Sequence, residues 1–542
     1  MKKINKLFII LVVFSLLLIT ISVTNYKTTL SSKDKLAINY VALEQNDDVN
    51  TIYTIEYQNK INNQLNQLIK TNNYTIDKPL LVSNPYGTNT TSIYMYFETN
   101  ELAKATYTIQ CEGYSDYTNT LNNNSLSGYN TKHEYLLIGS IPNKTNYITV
   151  TIYDINNKVI DNISWTYDAP KLKGGNQYLT VSKEKDDTNQ LTNGLYTVLG
   201  NDVTEESEEL AYMRLYDNNG IIRSEIPIIS YRSHRILFKD NNMYFSISST
   251  KIVEMKQSGY VSEIYDTGNY KLHHDYIFDS EDNLLVLASK KNAYTTEDKI
   301  IMIDSNTKEV SLLVDLVDLF PNYYISTTLP KGKENLDWMH VNSLELINNT
   351  SLIISSRETS TIIKLNDIYT NPSVDYLIGS NNFWSESKYD NLLLNKTTDF
   401  SLQAGQHCVT YVEDNNLPEN QYYLLLYNNN LATSTTRNYN WQEDSNYYNC
   451  FFNMKEGTSY YYKYLIDENN RTVSLVDSLP VSYSGYVSSV QQLNSNLIVD
   501  SGIAMSWAEY DSNGNLLQRY TTTGGKFVYR VFKYDYIDYW FQ

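Results

Sequence analysis

Six histidines occur in 542 residues, and three of them occupy one place in a repeat. His273 opens HHDYIFDSEDNLLVLA, His340 opens HVNSLELINNTSLIIS, and His407 opens HCVTYVED, which QYYLLLYNN follows. In each unit a polar start leads into an apolar strand, a turn of Asn, Asp or Ser, and a second apolar strand. Three imidazoles aimed at one point could attack an electrophile, move protons or hold a metal. Arg357 ends the strand after His340, in SLIISSRETSTIIKL, and Asn342 lies two residues beyond His340. A guanidinium beside imidazoles is costly unless an anion compensates it, so the set is expected to receive an oxyanion. The same residues leave other readings open. Arg357 could pair with Glu358, and a metal could sit on His273, His340 and His407 with Asp275 or Glu345.

The repeat that aligns the histidines also dictates the fold. Arg232 in RSHRILFKDNNMYFSI and Tyr486 in YVSSVQQLNSNLIVDS begin equivalent units, and unit starts fall near residues 193, 232, 273, 340, 407 and 486. Each start is followed by about four strands, the signature of a propeller blade. An all-β fold is therefore expected, with a six-bladed β-propeller over residues 191–542 and FVYRVFKYDY closing the ring against the first blade. Closure removes exposed sheet edges. The first strand of every blade lines the central channel, which is where His273, His340, His407, Arg232 and Tyr486 are placed. Tyrosine, at 51 residues against 14 Phe, suits such half-exposed strands.

Ahead of the repeat, short alternating strands such as SIYMYFET and NYITVTIYD predict a small N-terminal β-sandwich over residues 79–170, with a linker at 171–190. Residues 29–78 read as a stalk or short helix. Residues 1–28 carry Lys2, Lys3 and Lys6 before an uncharged apolar run, which predicts an export signal or signal anchor and an extracytoplasmic location, membrane-anchored or secreted if cleaved. With 42% apolar and 19% charged residues the chain is expected to fold, and a net charge of -18 argues against nucleic acid. Cys111, Cys408 and Cys450 form no metal or redox spacing, though a Cys408–Cys450 bridge is open. No phosphate-cradling GxxxxGK[ST] loop and no GxSxG elbow occurs, which disfavours a nucleotide donor and a serine hydrolase.

The strings DWMHVNSLEL with IISSRETSTIIKL, AGQHCVTY with YLLLYNN, LHHDYIFDSEDNLLVL and NPYGTNTTSIYMYF resemble the signatures of the bacterial arylsulfate sulfotransferase family. The resemblance runs from about residue 80 to the C-terminus. It implies sulfuryl transfer between phenols without a nucleotide or other cofactor, in two ping-pong steps through a sulfated His407. It also implies that His340, Arg357, Asn342 and a histidine of the HHD motif share the site, where the repeat register favours His273 over His274. Tyr486, at a blade start, could hold a phenol ring. The partners this implies are small phenolic donors and acceptors, the membrane if the N-terminal segment stays on, and no nucleic acid, with homodimerisation left open. A propeller metalloenzyme and a non-catalytic ligand-binding propeller of the envelope are the rival readings.

Overall fold

The computed structural model describes residues 40–175, 179–183, 190–201, 209–523 and 525–542. The export or anchor segment expected at residues 1–28 lies outside them, and no helix among the described residues is long and apolar enough to cross a membrane. The fold is all-β, as the strand patterning predicts. The chief helix, Ile55–Thr71, starts where the Thr54 side chain accepts from the Tyr57 amide and Glu56 complements the helix dipole. It is no free stalk. Ile61 and Leu65 are buried, the Gln58 side chain accepts from the Val261 amide at 3.0 Å, and the nearby Tyr53 hydroxyl donates to the Pro227 carbonyl at 2.8 Å.

Residues 80–168 form one six-stranded antiparallel sheet built round the long strand Ile93–Gln110. That strand breaks register between Glu98 and Ala103, which lets it pair with Asn130–Leu137 on one stretch and Thr145–Asp154 along the other. Thr88 donates to the Gly259 carbonyl at 2.7 Å and Asn89 to the Ser224 hydroxyl at 2.7 Å, so this sheet is bonded to the strands that follow it.

Six further sheets succeed one another along the chain: four have four antiparallel strands, and the last two have five, an antiparallel meander of four joined at its edge by Asn395–Lys396, which pairs in parallel, and by Leu179–Lys183 respectively. The sheet beginning at Leu195–Val198 takes its fourth strand from the far end of the chain, where Val531 pairs with Val198 and Tyr534 with Leu195. The expected linker is in part a strand: Leu179–Lys183 pairs with Leu516–Thr522 at the edge of the last sheet. These exchanges tie the two chain ends together and leave fewer unpaired edges. Behind the first exchange, Lys533 donates to Glu509 at 2.9 Å, and both side chains are fully buried. Tyr536, Tyr539, Trp540 and Phe541 then pack into the core shared with the N-terminal sheet.

The first strands of three successive sheets break register at their histidines. Pairing skips between Leu272 and Tyr276, between Val341 and Ser343, and between His407 and Thr410. His274, His340 and Cys408 there hold positive φ of 54°, 48° and 54°, a costly region for residues with a Cβ. Bulges of this kind re-aim side chains, and these turn the histidines out of the strand alternation.

Candidate active site

His407 is buried, and its Nδ1 donates to the Asn429 side-chain oxygen at 2.8 Å and the Gly405 carbonyl at 3.0 Å. The Asn429 amide orientation follows from its other bonds, because its nitrogen donates to the carbonyls of Ser484 at 2.7 Å and Val487 at 3.0 Å. The proton therefore sits on Nδ1, and the Nε2 lone pair has no protein partner among the described residues. Burial, partly offset by the Asn429 bond, drops the His407 pKa to about 3, so the ring is neutral at ordinary pH.

His340 is its electrostatic opposite. Its Nδ1 donates to Asp337 at 2.6 Å and has the Glu297 carboxylate at 2.7 Å. Burial and Arg357 oppose a charge on this ring, but the two carboxylates prevail and raise its pKa to about 9. Glu297 is held at φ 55°, and its carbonyl accepts from the Val341 amide at 3.1 Å, which fixes it beside His340. Arg357 reaches Asp337 at 3.7 Å and Glu358 at 3.4 Å, and its backbone amide donates to the His340 carbonyl at 3.2 Å. Arg357 thus joins the site through Asp337 while also making the Glu358 pair.

The register placed His273 at the shared position, but the ring contacts put His274 there. His274 lies 4.8 Å from His340 and 6.4 Å from His234 between ring centroids. His273 meets it edge to face at 5.2 Å, with Nδ1 3.0 Å from that of His274 and a buried Nε2 that lacks a hydrogen-bond partner among the described residues. The physical reason is the bulge between Leu272 and Tyr276, whose left-handed His274 shifts the phase of the strand. Burial pushes both pKa values down, that of His274 well below the usual range.

Asn342 has its side-chain oxygen buried without a hydrogen-bond partner among the described residues. Its amide donates to the Gln406 carbonyl at 2.8 Å and so anchors the segment before His407. Tyr486 is half-buried and meets Phe527 at 5.9 Å, edge to face, beside the Val487 carbonyl that orients Asn429. The bridge left open between Cys408 and Cys450 does not form: Cys408 faces the Val490 carbonyl, Cys450 faces Ser401, and all three cysteines are free.

Several contributors escaped the sequence reading. His234 is buried, 3.3 Å from the Tyr529 hydroxyl through its Nδ1. Arg530, from the C-terminal segment, donates to the carbonyls of Asn342 at 2.7 Å and His234 at 3.2 Å and lies 3.5 Å from Asp275. Glu297, Asp337 and Asn429 carry no pattern of their own, although Asp337 precedes His340 by three residues. For a metal, ligand atoms cluster in His273, His274 and Glu297, and in Glu297, Asp337 and His340. His407 is in neither group, and Asp275 and Glu345 are both bound by Arg235, at 3.0 Å and 2.7 Å. The metal set read from the sequence is therefore not assembled.

Comparison with known proteins adds an independent line. Among solved structures, the chain is similar to a protein of unknown function from Bacteroides caccae at 8% identity, covering 62% of this chain and 98% of that one, with a TM-score of 0.36. It is also similar to a putative 6-phosphogluconolactonase from Bacteroides fragilis at 10% identity, covering 80% and 98%, with a TM-score of 0.35. Likenesses this weak say nothing of function. A search of curated proteins gave no match. Two family models do match: the arylsulfotransferase Ig-like domain over residues 80–170, and Arylsulfotransferase (ASST) over residues 180–533. With an Ig-like domain ahead of the sheets that carry His274, His340 and His407, and with the family model spanning most of the chain, this protein belongs to the arylsulfotransferase (ASST) family and is a sulfotransferase of aryl substrates.

Proposed function

We propose that the protein moves a sulfuryl group from an aryl sulfate to a phenol in two steps through a sulfated His407, at the centre of a six-bladed propeller. Six successive sheets of four or five strands, with the C-terminal strand Val531–Tyr534 completing the first and Leu179–Lys183 added to the last, support the propeller reading. The observation that carries the mechanism is the Nδ1–H of His407 fixed by Asn429 and Gly405, which leaves a neutral Nε2 as nucleophile. In the first step the Nε2 lone pair attacks sulfur and the bond from sulfur to the aryl oxygen breaks. Its electron pair stays on that oxygen, which takes a proton from His340. The positive charge appearing on the His407 ring is met by the two acceptors on Nδ1.

In the second step the acceptor hydroxyl gives its proton to the now neutral His340, and its oxygen attacks sulfur. The N–S bond breaks, its electrons return to Nε2, and both residues regain their starting states. The transition state is loose and its charge spreads over the peripheral oxygens, as in phosphoryl transfer. Arg357 and protonated His340 supply positive charge for those oxygens. His274 and His273 line the same site as neutral imidazoles, with His274 beside His340, and Tyr486 offers an aromatic wall. The apolar run from Leu7 to Thr24, preceded by Lys2, Lys3 and Lys6, supports export, with the chain anchored at the membrane or secreted.

Incubation with a chromogenic aryl sulfate, with and without phenol, tests this reading. Release of the chromophore should depend on phenol and yield phenyl sulfate. Release as free sulfate at the same rate without phenol would instead indicate hydrolysis.

A further inference from the structure

Five arginines are buried, and four have carboxylate partners: Arg214 with Glu225, Arg223 with Asp217, Arg437 with Glu386 and Arg530 with Asp275. Arg232 has none among the described residues. It is 8% exposed, and its Nε is buried without a hydrogen-bond partner. Three aromatic rings surround the guanidinium instead, with centroids at 4.5 Å for Tyr231, 4.5 Å for Tyr529 and 5.1 Å for Phe527. Cation–π contacts offset only part of the cost of burying a charge.

This cage borders the reaction site. The Tyr529 hydroxyl donates to the His274 carbonyl at 3.2 Å and its ring lies 6.3 Å from that of His274. On the other side Phe527 meets Tyr486, next to the Val487 carbonyl that holds Asn429 against His407. Burial, then Arg232 and Arg530, pushes the His234 pKa well down; of the two guanidiniums on that wall, Arg530 has Asp275 at 3.5 Å and Arg232 has no carboxylate among the described residues. In a chain of net charge -18, one unpaired buried cation is a selective place for an anion.

We propose that Arg232, caged by Tyr231, Phe527 and Tyr529, is a subsite for a carboxylate carried by the aryl substrate in addition to its reacting oxygen. The preferred substrates are then phenolic acids. The aromatic faces hold the ring, and the guanidinium fork binds the carboxylate in a site shielded from water. The subsite rests on the aryl sulfotransferase reading for its place in turnover, but its charge preference can be measured without turnover.

Calorimetry on the full chain with 4-hydroxybenzoate and its uncharged isostere 4-hydroxybenzamide tests this, alongside kcat/KM for both as acceptors. The acid should bind about tenfold or more tightly than the amide, as a charge-assisted bond permits. Arg232→Gln should abolish that ratio, and Arg232→Lys, which keeps the charge without the fork, should restore part of it. Equal binding of acid and amide by the unaltered protein, or an undiminished ratio in Arg232→Gln, overturns the subsite. Preference for the acid without any sulfuryl transfer would contradict the transfer chemistry and leave the subsite standing.

Discussion

Asn429 accepts the Nδ1 proton of His407 at 2.8 Å, while its own amide group is locked by the carbonyls of Ser484 and Val487. The carbonyl oxygen of Asn429 therefore cannot swap places with its nitrogen, and His407 is held in the tautomer that a nucleophilic Nε2 requires. Asn429→Ala should lower kcat by about a hundredfold, the usual scale for losing a partner that orients a reacting imidazole. Circular dichroism should show the fold retained. Steady-state kinetics at saturating donor and phenol measure it; an unchanged kcat would remove Asn429 from the mechanism.

The pairing of His340 with Asp337 and Glu297 sets the alkaline limit. His340 must be protonated to assist the departing phenolate, so kcat/KM should fall as pH rises through about 9, while His407, at about 3, imposes no acid limit in the usual working range. Glu297→Gln removes one anion beside His340 and should move the alkaline limb to lower pH. The same ion pairs stabilise the fold: with the folded pKa raised, that contribution is complete below the unfolded value of about 6.5 and is lost as pH rises through about 9.

A metal would compete with His340 for the Glu297 and Asp337 carboxylates. Dialysis against a strong chelator should leave sulfuryl transfer intact. Loss of activity together with a stoichiometric divalent ion, and recovery on its return, would put a metal at Glu297, Asp337 and His340 instead of a proton.

The buried Lys533–Glu509 pair sits where the C-terminal strand joins the first sheet. Burial drops the Lys533 pKa to about 8 even with Glu509 opposing that shift, a sign of how little water reaches the pair. Lys533→Met leaves a buried carboxylate uncompensated and should destabilise the fold by about 3–5 kcal/mol. Thermal unfolding reads this directly, and adding Glu509→Gln should recover part of the loss.

Much of the fold was legible because a meander repeats its turn and strand spacing, and that spacing also drew His340 and His407 into one site. The bulges were not legible. They insert residues that a linear register cannot see, which is why the ring beside that of His340 is His274, with His273 next to it, and why the Asn342 amide serves Gln406. Glu297, Asp337 and Asn429 come from irregular segments, where no periodicity marks which side chain turns inward. Arg530 bonds to segments nearly 200 residues or more away, and the sequence bears no trace of that. The odd position of Arg232 among the unit starts was visible, but its lack of a carboxylate partner needed three dimensions.

The most direct test is mass spectrometry of the protein quenched after mixing with an aryl sulfate alone, with no acceptor phenol present. A single sulfuryl adduct is expected on the peptide containing His407, formed with one equivalent of released phenol and discharged when phenol is added. Stoichiometric phenol release with no adduct on His407, or an adduct on another residue that phenol discharges at the turnover rate, would contradict it.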